Sequence, residues 1–165
     1  MLQTCGVDVH SKRIHLHNSD KEVGLLVLDS AGSELYKTFL SQYWDQAHLL
    51  LVMFDVTRED SFANVESWVY LALESSWGSN GGPPTACALY GNKTDLAGRR
   101  VIERPEGEEL ADKLDMPYFE GSAKEYEGVD TVIQYLSKEW STHKHKNKKP
   151  PLSKAIFNKA HIPAL

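Results

Sequence analysis

Long apolar runs are missing from this chain of 165 residues, so no segment reads as a membrane-spanning helix. The N-terminus lacks a basic stretch followed by an apolar one, and no secretory leader is expected. Cysteine is scarce. Cys5 and Cys87 have no metal spacing, and each lies in or beside a strand-like run, so both are expected to be small buried hydrophobes in a reducing compartment. Acidic residues are absent from 141–165, which carries six lysines and leaves a net charge of −11 on the rest. An acidic body with a basic tail is not the footprint of a nucleic-acid reader, which places its basic charge on a folded face. Histidine ligand sets are lacking too: His15 with His17, and His143 with His145, are pairs with no further ligands nearby, and a closed zinc site needs four.

What is present fits one globular domain. Hydrophobic residues make up 41% and charged residues 25% of the chain. Residues 6–16 alternate apolar and polar, as a half-exposed strand does. A turn at 18–21 leads to the nearly all-apolar run 23–28, which ends at Asp29. Helical spacing of Leu35, Phe39 and Tyr43 predicts a helix over 33–46. A second apolar run, 49–54, ends at Asp55. Residues 61–75 form the clearest helix, capped by Asp60 or Ser61, with Phe62, Val65, Val69 and Ala72 as its apolar stripe. After a breaker-rich loop over 75–84 come a strand at 85–90 and a helix at 105–115 with Pro105 in its first turn. A short strand at 116–120 and a last helix at 129–142 follow.

Strands alternating with helices imply right-handed crossovers, a mostly parallel sheet and an α/β fold. The runs 23–28 and 49–54 predict strands buried on both faces. In such sheets ligands bind beyond the carboxyl ends of the strands, where the noteworthy residues fall. In "GNKTDL", the Asp95 carboxylate can accept from the N1–H and exocyclic amine of guanine, a donor pair that adenine lacks. Asn92 can reach N7 and tie neighbouring loops, and the Lys93 stem can lie along the ring. Such a loop is equally a polar turn when taken alone. "GSAK" at the end of the next strand supplies an opposite wall of Ser122, Ala123 and Lys124, with the Ala123 N–H as a donor to O6 and Lys124 over the base. In "LDSAGSEL", Asp29 suits a carboxylate holding Mg2+ through water, and Gly32 lets the backbone approach a terminal phosphate.

With these motifs in this order, residues 4–142 resemble a Rab-type small GTPase. "TCGVDV" resembles the second half of switch one, which implies that Thr4 ligates Mg2+. "DSAGSE" resembles the opening of switch two, and "FDVTREDSFANVESW" the Rab pattern from strand into helix. "DSAGSELYKTFLSQYW" and "GNKTDLAGRR" are most similar to the Rab-like branch that serves intraflagellar transport. That resemblance implies GTP/GDP and Mg2+ as ligands, and a place among the transport B complex subunits beside a small β-sandwich partner, in cytoplasm and cilium.

Three departures from the family pattern stand out. No GxxxxGK[ST] occurs, and no glycine is followed by lysine. The phosphate cradle, with the first strand and first helix around it, is therefore expected to precede the opening "MLQTCGVDVH" in a complete protein. The 165 residues as given are expected to hold GTP weakly or not at all. Second, Ser33 stands where most members have the glutamine that orients the attacking water, which implies slow hydrolysis even with the phosphate cradle restored. Third, "HIPAL" offers no prenylatable cysteine, so no lipid anchor is expected. The lysines of residues 143–165 read as a solvated, flexible tail that could attract anionic lipid. The alternative to a switch is an adaptor that keeps the GTPase shape without nucleotide. Tyr43 and Trp44 read equally as a partner-binding patch and as packing against the next helix, whereas Trp68 reads as core or half-core.

Overall fold

The computed structural model describes residues 5–17, 19–33, 36–44, 47–74 and 84–146. Two strands open it: β1 (Val7–His15) and β2 (Glu22–Ser30). They form an antiparallel ribbon in which Asp8 faces Asp29 and Ile14 faces Val23. A short helix α1 (Lys37–Leu40) and a 3-10 turn Ser41–Tyr43 follow. Next come β3 (Leu49–Asp55), helices α2 (Glu59–Ala63) and α3 (Val65–Glu74), and β4 (Ala86–Asn92). After a 3-10 turn at Thr94–Arg99 the chain forms α4 (Arg104–Lys113), β5 (Tyr118–Gly121) and α5 (Val129–Lys146).

Strands β3, β4 and β5 make a parallel sheet with β4 in the middle. Alternation along the strands sends Val52, Phe54, Cys87 and Leu89 to one face, where they meet Val65 and Val69 of α3 and Ala111 of α4. Ala86, Ala88 and Tyr90 go to the other face, against Val132 and Leu136 of α5. Helices thus cover both faces, as the parallel α/β reading requires. The ribbon is docked separately. Val7, Leu28, Leu40 and Trp44 pack with Ala72 and Trp68 of α3. The Gln134 side chain of α5 accepts the His17 N–H at 3.1 Å and donates to the His15 carbonyl at 2.8 Å.

The strand buried on both faces is β4, not the two expected to be. On β2 only Val23 is fully buried, and Leu26 is 69% exposed; on β3, Met53 is 49% exposed. The reason is sheet order: β4 has a strand on each side, whereas β2 pairs only with β1 and β3 only with β4 among the described residues. Such open edges with apolar flanks favour pairing with further strand.

Several local expectations change for identifiable reasons. The helix over 33–46 is only Lys37–Leu40 plus one 3-10 turn, with residues 34, 35, 45 and 46 outside the described set. The helix over 61–75 is two helices that break at Asn64, and neither Asp60 nor Ser61 caps it. Ser61 Oγ instead accepts the Asp55 N–H at 3.0 Å and donates to the Arg58 carbonyl at 2.8 Å, tying α2 to the end of β3. Helix α4 does hold Pro105 in its first turn, but starts one residue earlier at Arg104, through a reciprocal capping box between Glu103 and Glu106. Helix α5 runs four residues past the expected end at 142, into the segment taken for tail; the tail from 147 on lies outside the described residues, as does most of the 75–84 loop. Cys87 is buried, its thiol pushed up to about 12 by burial, whereas Cys5 is exposed because it lies ahead of β1, outside the core clusters. Of the two readings for Tyr43 and Trp44, packing holds for Trp44 and not for Tyr43. Trp44 is buried and donates its indole N–H to Ser30 Oγ at 2.9 Å; Tyr43 is exposed. Trp68 is half-buried, as expected. Among the described residues no helix is long and apolar enough to cross a membrane.

Candidate functional site

The carboxyl ends of β4 and β5 bring two loops together. β4 ends at Asn92, and the next residue, Lys93, adopts a left-handed conformation with φ 73°. That is uncommon for a residue with a side chain. The turn is held by Asn92, whose Oδ1 accepts the Lys93 N–H at 2.8 Å. The same oxygen accepts the Ala123 N–H at 3.0 Å, across a gap of thirty-one residues in sequence. Beside it the buried Ser122 Oγ donates to Asp95 Oδ1 at 2.6 Å and accepts the Glu125 N–H at 3.1 Å. A backbone bridge between Ser122 and Glu127 closes the second loop, and the Tyr90 hydroxyl donates to the Glu127 carbonyl at 3.0 Å.

Asn92, Lys93, Asp95, Ser122, Ala123 and Lys124, the residues expected to hold a guanine, therefore meet at one place. Asp95 keeps a lone pair on Oδ1 and has its second oxygen, Oδ2, 3.9 Å from Lys124 Nζ, so it retains acceptor capacity for a paired donor. This acceptor pair fits the N1–H and amine edge of a guanine. The exposed Lys124 ammonium also bonds Glu125 at 2.8 Å; that bond first, then the charges of Glu125 and Asp95, raise its pKa. One detail differs from expectation: the Ala123 N–H points to Asn92, so O6 of a base gains that donor only when Asn92 Oδ1 gives it up.

The phosphate side is more open. Asp29 lies near the end of β2, exposed and directly opposite Asp8. Its carboxylate, that of Asp8 and the His10 imidazole have ligand atoms within 4.8 Å of one another, a grouping that the histidine spacing did not suggest. Oxygen donors of this kind suit a hard cation such as Mg2+. Gly32 is exposed with open space where a Cβ would stand, and Ser33 is half-buried beside it. Thr4 lies outside the described residues.

Sequence reasoning missed Asp55 and Thr57. Asp55 ends β3 opposite Asn92 in the parallel register. Its Oδ2 lies 2.5 Å from Lys93 Nζ, and its Oδ1 accepts the Thr57 N–H at 2.9 Å and the Thr57 hydroxyl at 2.7 Å. Burial pushes this carboxyl up, but the bonds from Lys93 and Thr57 and the Lys93 charge outweigh it and hold it below the usual carboxylate range. The available signal was an acid closing an apolar strand on the same edge as Asn92.

Comparison with known proteins follows the same lines. The profile of the Ras family matches residues 1–142. The chain is 36% identical over 137 residues to an intraflagellar transport protein 27 homologue of Bos taurus, covering 83% of this chain and 72% of that protein. It is 36% identical over 135 residues to the Ras-related protein Rab-3D of Homo sapiens, covering 82% of this chain and 58% of that one. The Homo sapiens intraflagellar transport protein 27 homologue is 34% identical over 137 residues.

Proposed function

The chain belongs to the Ras family, and from that premise we propose that it recognises guanine nucleotides through the loops after β4 and β5 and serves intraflagellar transport as a Rab-like subunit or regulator. The observation that carries the base reading is the double tie between the loops, Asn92 to Ala123 and Ser122 to Asp95. It pre-forms a carboxylate acceptor of fixed orientation before any ligand arrives. GTP and GDP are the ligands, with Asn92, Lys93, Asp95, Ser122, Ala123 and Lys124 at the base and Gly32 near the terminal phosphate. Mg2+ would neutralise phosphate charge when bound; Asp29 and Thr4 are the residues that would hold it. Affinity in this chain is weak, since the sequence offers no GxxxxGK[ST] cradle and the base loops carry recognition.

Calorimetric titration of the 165-residue chain tests this directly. GDP is expected to bind more tightly than ADP by roughly tenfold or more, the worth of hydrogen bonds to a charged acceptor. Equal, measurable affinities overturn the base reading, whereas binding of neither favours the adaptor for this chain. The adaptor has its own support: the Ala123 N–H is already taken by Asn92 and the Ser122 hydroxyl by Asp95, so the two loops are tied without a ligand.

Hydrolysis is proposed to be slow, because a serine at position 33 is too short to orient water as the family glutamine does. With the phosphate cradle restored, single-turnover hydrolysis at saturating GTP is expected to run below that of a Rab carrying the glutamine, and to be unchanged by Ser33→Ala. A Rab-like rate that falls in Ser33→Ala overturns this. The ciliary assignment draws on the named relatives, and extends to B complex subunits and a small β-sandwich partner in cytoplasm and cilium. Affinity purification from ciliated cells is expected to recover those subunits, and their absence removes the assignment.

A further inference from the structure

We propose that Asp55 is the positioning residue of the base site: it fixes the Lys93 ammonium and so holds the Lys93 stem in place as one wall of the guanine pocket. The proposal rests on the base-recognition reading above. Asp55 belongs to neither loop of that reading and lies on a different strand.

The geometry begins with register. In the parallel pairing of β3 with β4, Asp55 is level with Asn92, so the residue after Asn92 leaves the sheet beside the Asp55 carboxylate. The Val56 N–H donates to the Asn92 carbonyl at 3.0 Å and locks that level. Lys93 is then gripped twice, by its own N–H on Asn92 Oδ1 at 2.8 Å and by its ammonium on Asp55 Oδ2 at 2.5 Å. Between those grips the four-carbon stem has little freedom left. Its left-handed backbone, φ 73°, is the conformation that this double grip selects.

The anchor itself is fixed. Thr57 satisfies the other carboxylate oxygen with both its N–H and its hydroxyl, and Ser61 Oγ accepts the Asp55 N–H at 3.0 Å. The Asp55 side chain is 13% exposed, against 39% for Lys93. A partly buried pair with its remaining lone pairs satisfied holds its geometry; an exposed pair such as Lys124 with Glu125 does not. A lysine stem is among the side chains that lose most freedom on ordering. Ordering it before the base arrives removes that cost from nucleotide binding.

The test is a double-mutant cycle on the whole chain, read by titration with GDP and with guanosine. Asp55→Asn keeps the shape and removes the charge. It is expected to weaken both ligands equally, by about tenfold. Lys93→Ala is expected to weaken them at least as much. In the Lys93→Ala background, Asp55→Asn is expected to change nothing, whereas an Asp55 that merely supported the fold would cost affinity in both backgrounds. Additive losses, or unchanged guanosine binding in Asp55→Asn, overturn the proposal while leaving guanine recognition standing. A wild-type chain that binds neither ligand overturns this proposal and favours the adaptor. Should Asp55→Asn fail to fold, Lys93→Met makes the same test, since it keeps an apolar stem that Asp55 cannot hold: a loss like that of Lys93→Ala supports the proposal and wild-type affinity overturns it.

Discussion

Asp95→Asn is expected to lower the affinity for GDP by roughly 100-fold and to create a preference for xanthosine diphosphate. Guanine presents two donors side by side, N1–H and the exocyclic amine, and a carboxylate offers only acceptors. An asparagine offers one acceptor and one donor, so its amide N–H would face a donor of guanine, and a desolvated polar group without a partner costs more than a lost bond. Xanthine carries a carbonyl where guanine has the amine, which the new amide N–H matches. The substitution isolates recognition from folding. Ser122 Oγ donates to Asp95 Oδ1 at 2.6 Å, and an asparagine oxygen accepts that bond in the same place. The loops should therefore stay tied by Asn92 to Ala123 and by Ser122 to residue 95. Competitive titration of the two diphosphates against wild type and variant checks it. A variant that loses GDP without gaining xanthosine diphosphate shows that Asp95 supports the loop and does not read the base.

Much of this site was legible before any coordinates because its parts are local. Asn92 and Ser122 each end or follow an apolar strand, and ligand loops gather at such ends in parallel sheets. The strands themselves were readable as apolar runs, and β4 lies where the run from 85 to 90 placed it, starting one residue later and ending two residues later. Burial was less legible. The runs in β2 and β3 are as apolar as β4, yet Leu26 and Met53 are exposed, because burial depends on which strands lie alongside. Composition alone carries no information about strand order. The same limit hid Asp55, whose meeting with Lys93 follows from the level pairing of β3 with β4. Ser61 is a different case. Its hydroxyl is a good helix cap by type, but the Asp55 N–H and Arg58 carbonyl compete for it and win. Side-chain preference yields there to a contact between a strand end and the following helix.

Gly121→Ala is expected to destabilise the chain by about 3 kcal/mol, lowering Tm by roughly 10 °C, and to abolish guanine binding with it. Gly121 is the last residue of β5 and immediately precedes Ser122. A Cβ built there would lie 2.1 Å from the Glu127 carbonyl oxygen and 2.7 Å from the Tyr90 hydroxyl. The first obstacle is backbone, and it cannot rotate away. It is held by the bridge in which the Ser122 N–H donates to the Glu127 carbonyl at 3.0 Å and the Glu127 N–H to the Ser122 carbonyl at 2.9 Å. Tyr90 is buried and donates to the same carbonyl, so the second obstacle is fixed by the first. Relief requires Glu127 to move out, which opens the bridge, strands the Tyr90 hydroxyl and releases Ser122 from Asp95. Fold and site fail together because one carbonyl serves both. Gly98→Ala is the matched control, since a Cβ there meets nothing within 4 Å, and its effect is expected to stay below about 0.5 kcal/mol. Thermal unfolding followed by circular dichroism, beside a GDP titration, reads both variants. A Gly121→Ala chain that unfolds within about 2 °C of wild type means that the 122–127 loop yields easily. The close packing around Glu127 is then not what holds Ser122 and Asp95 in register.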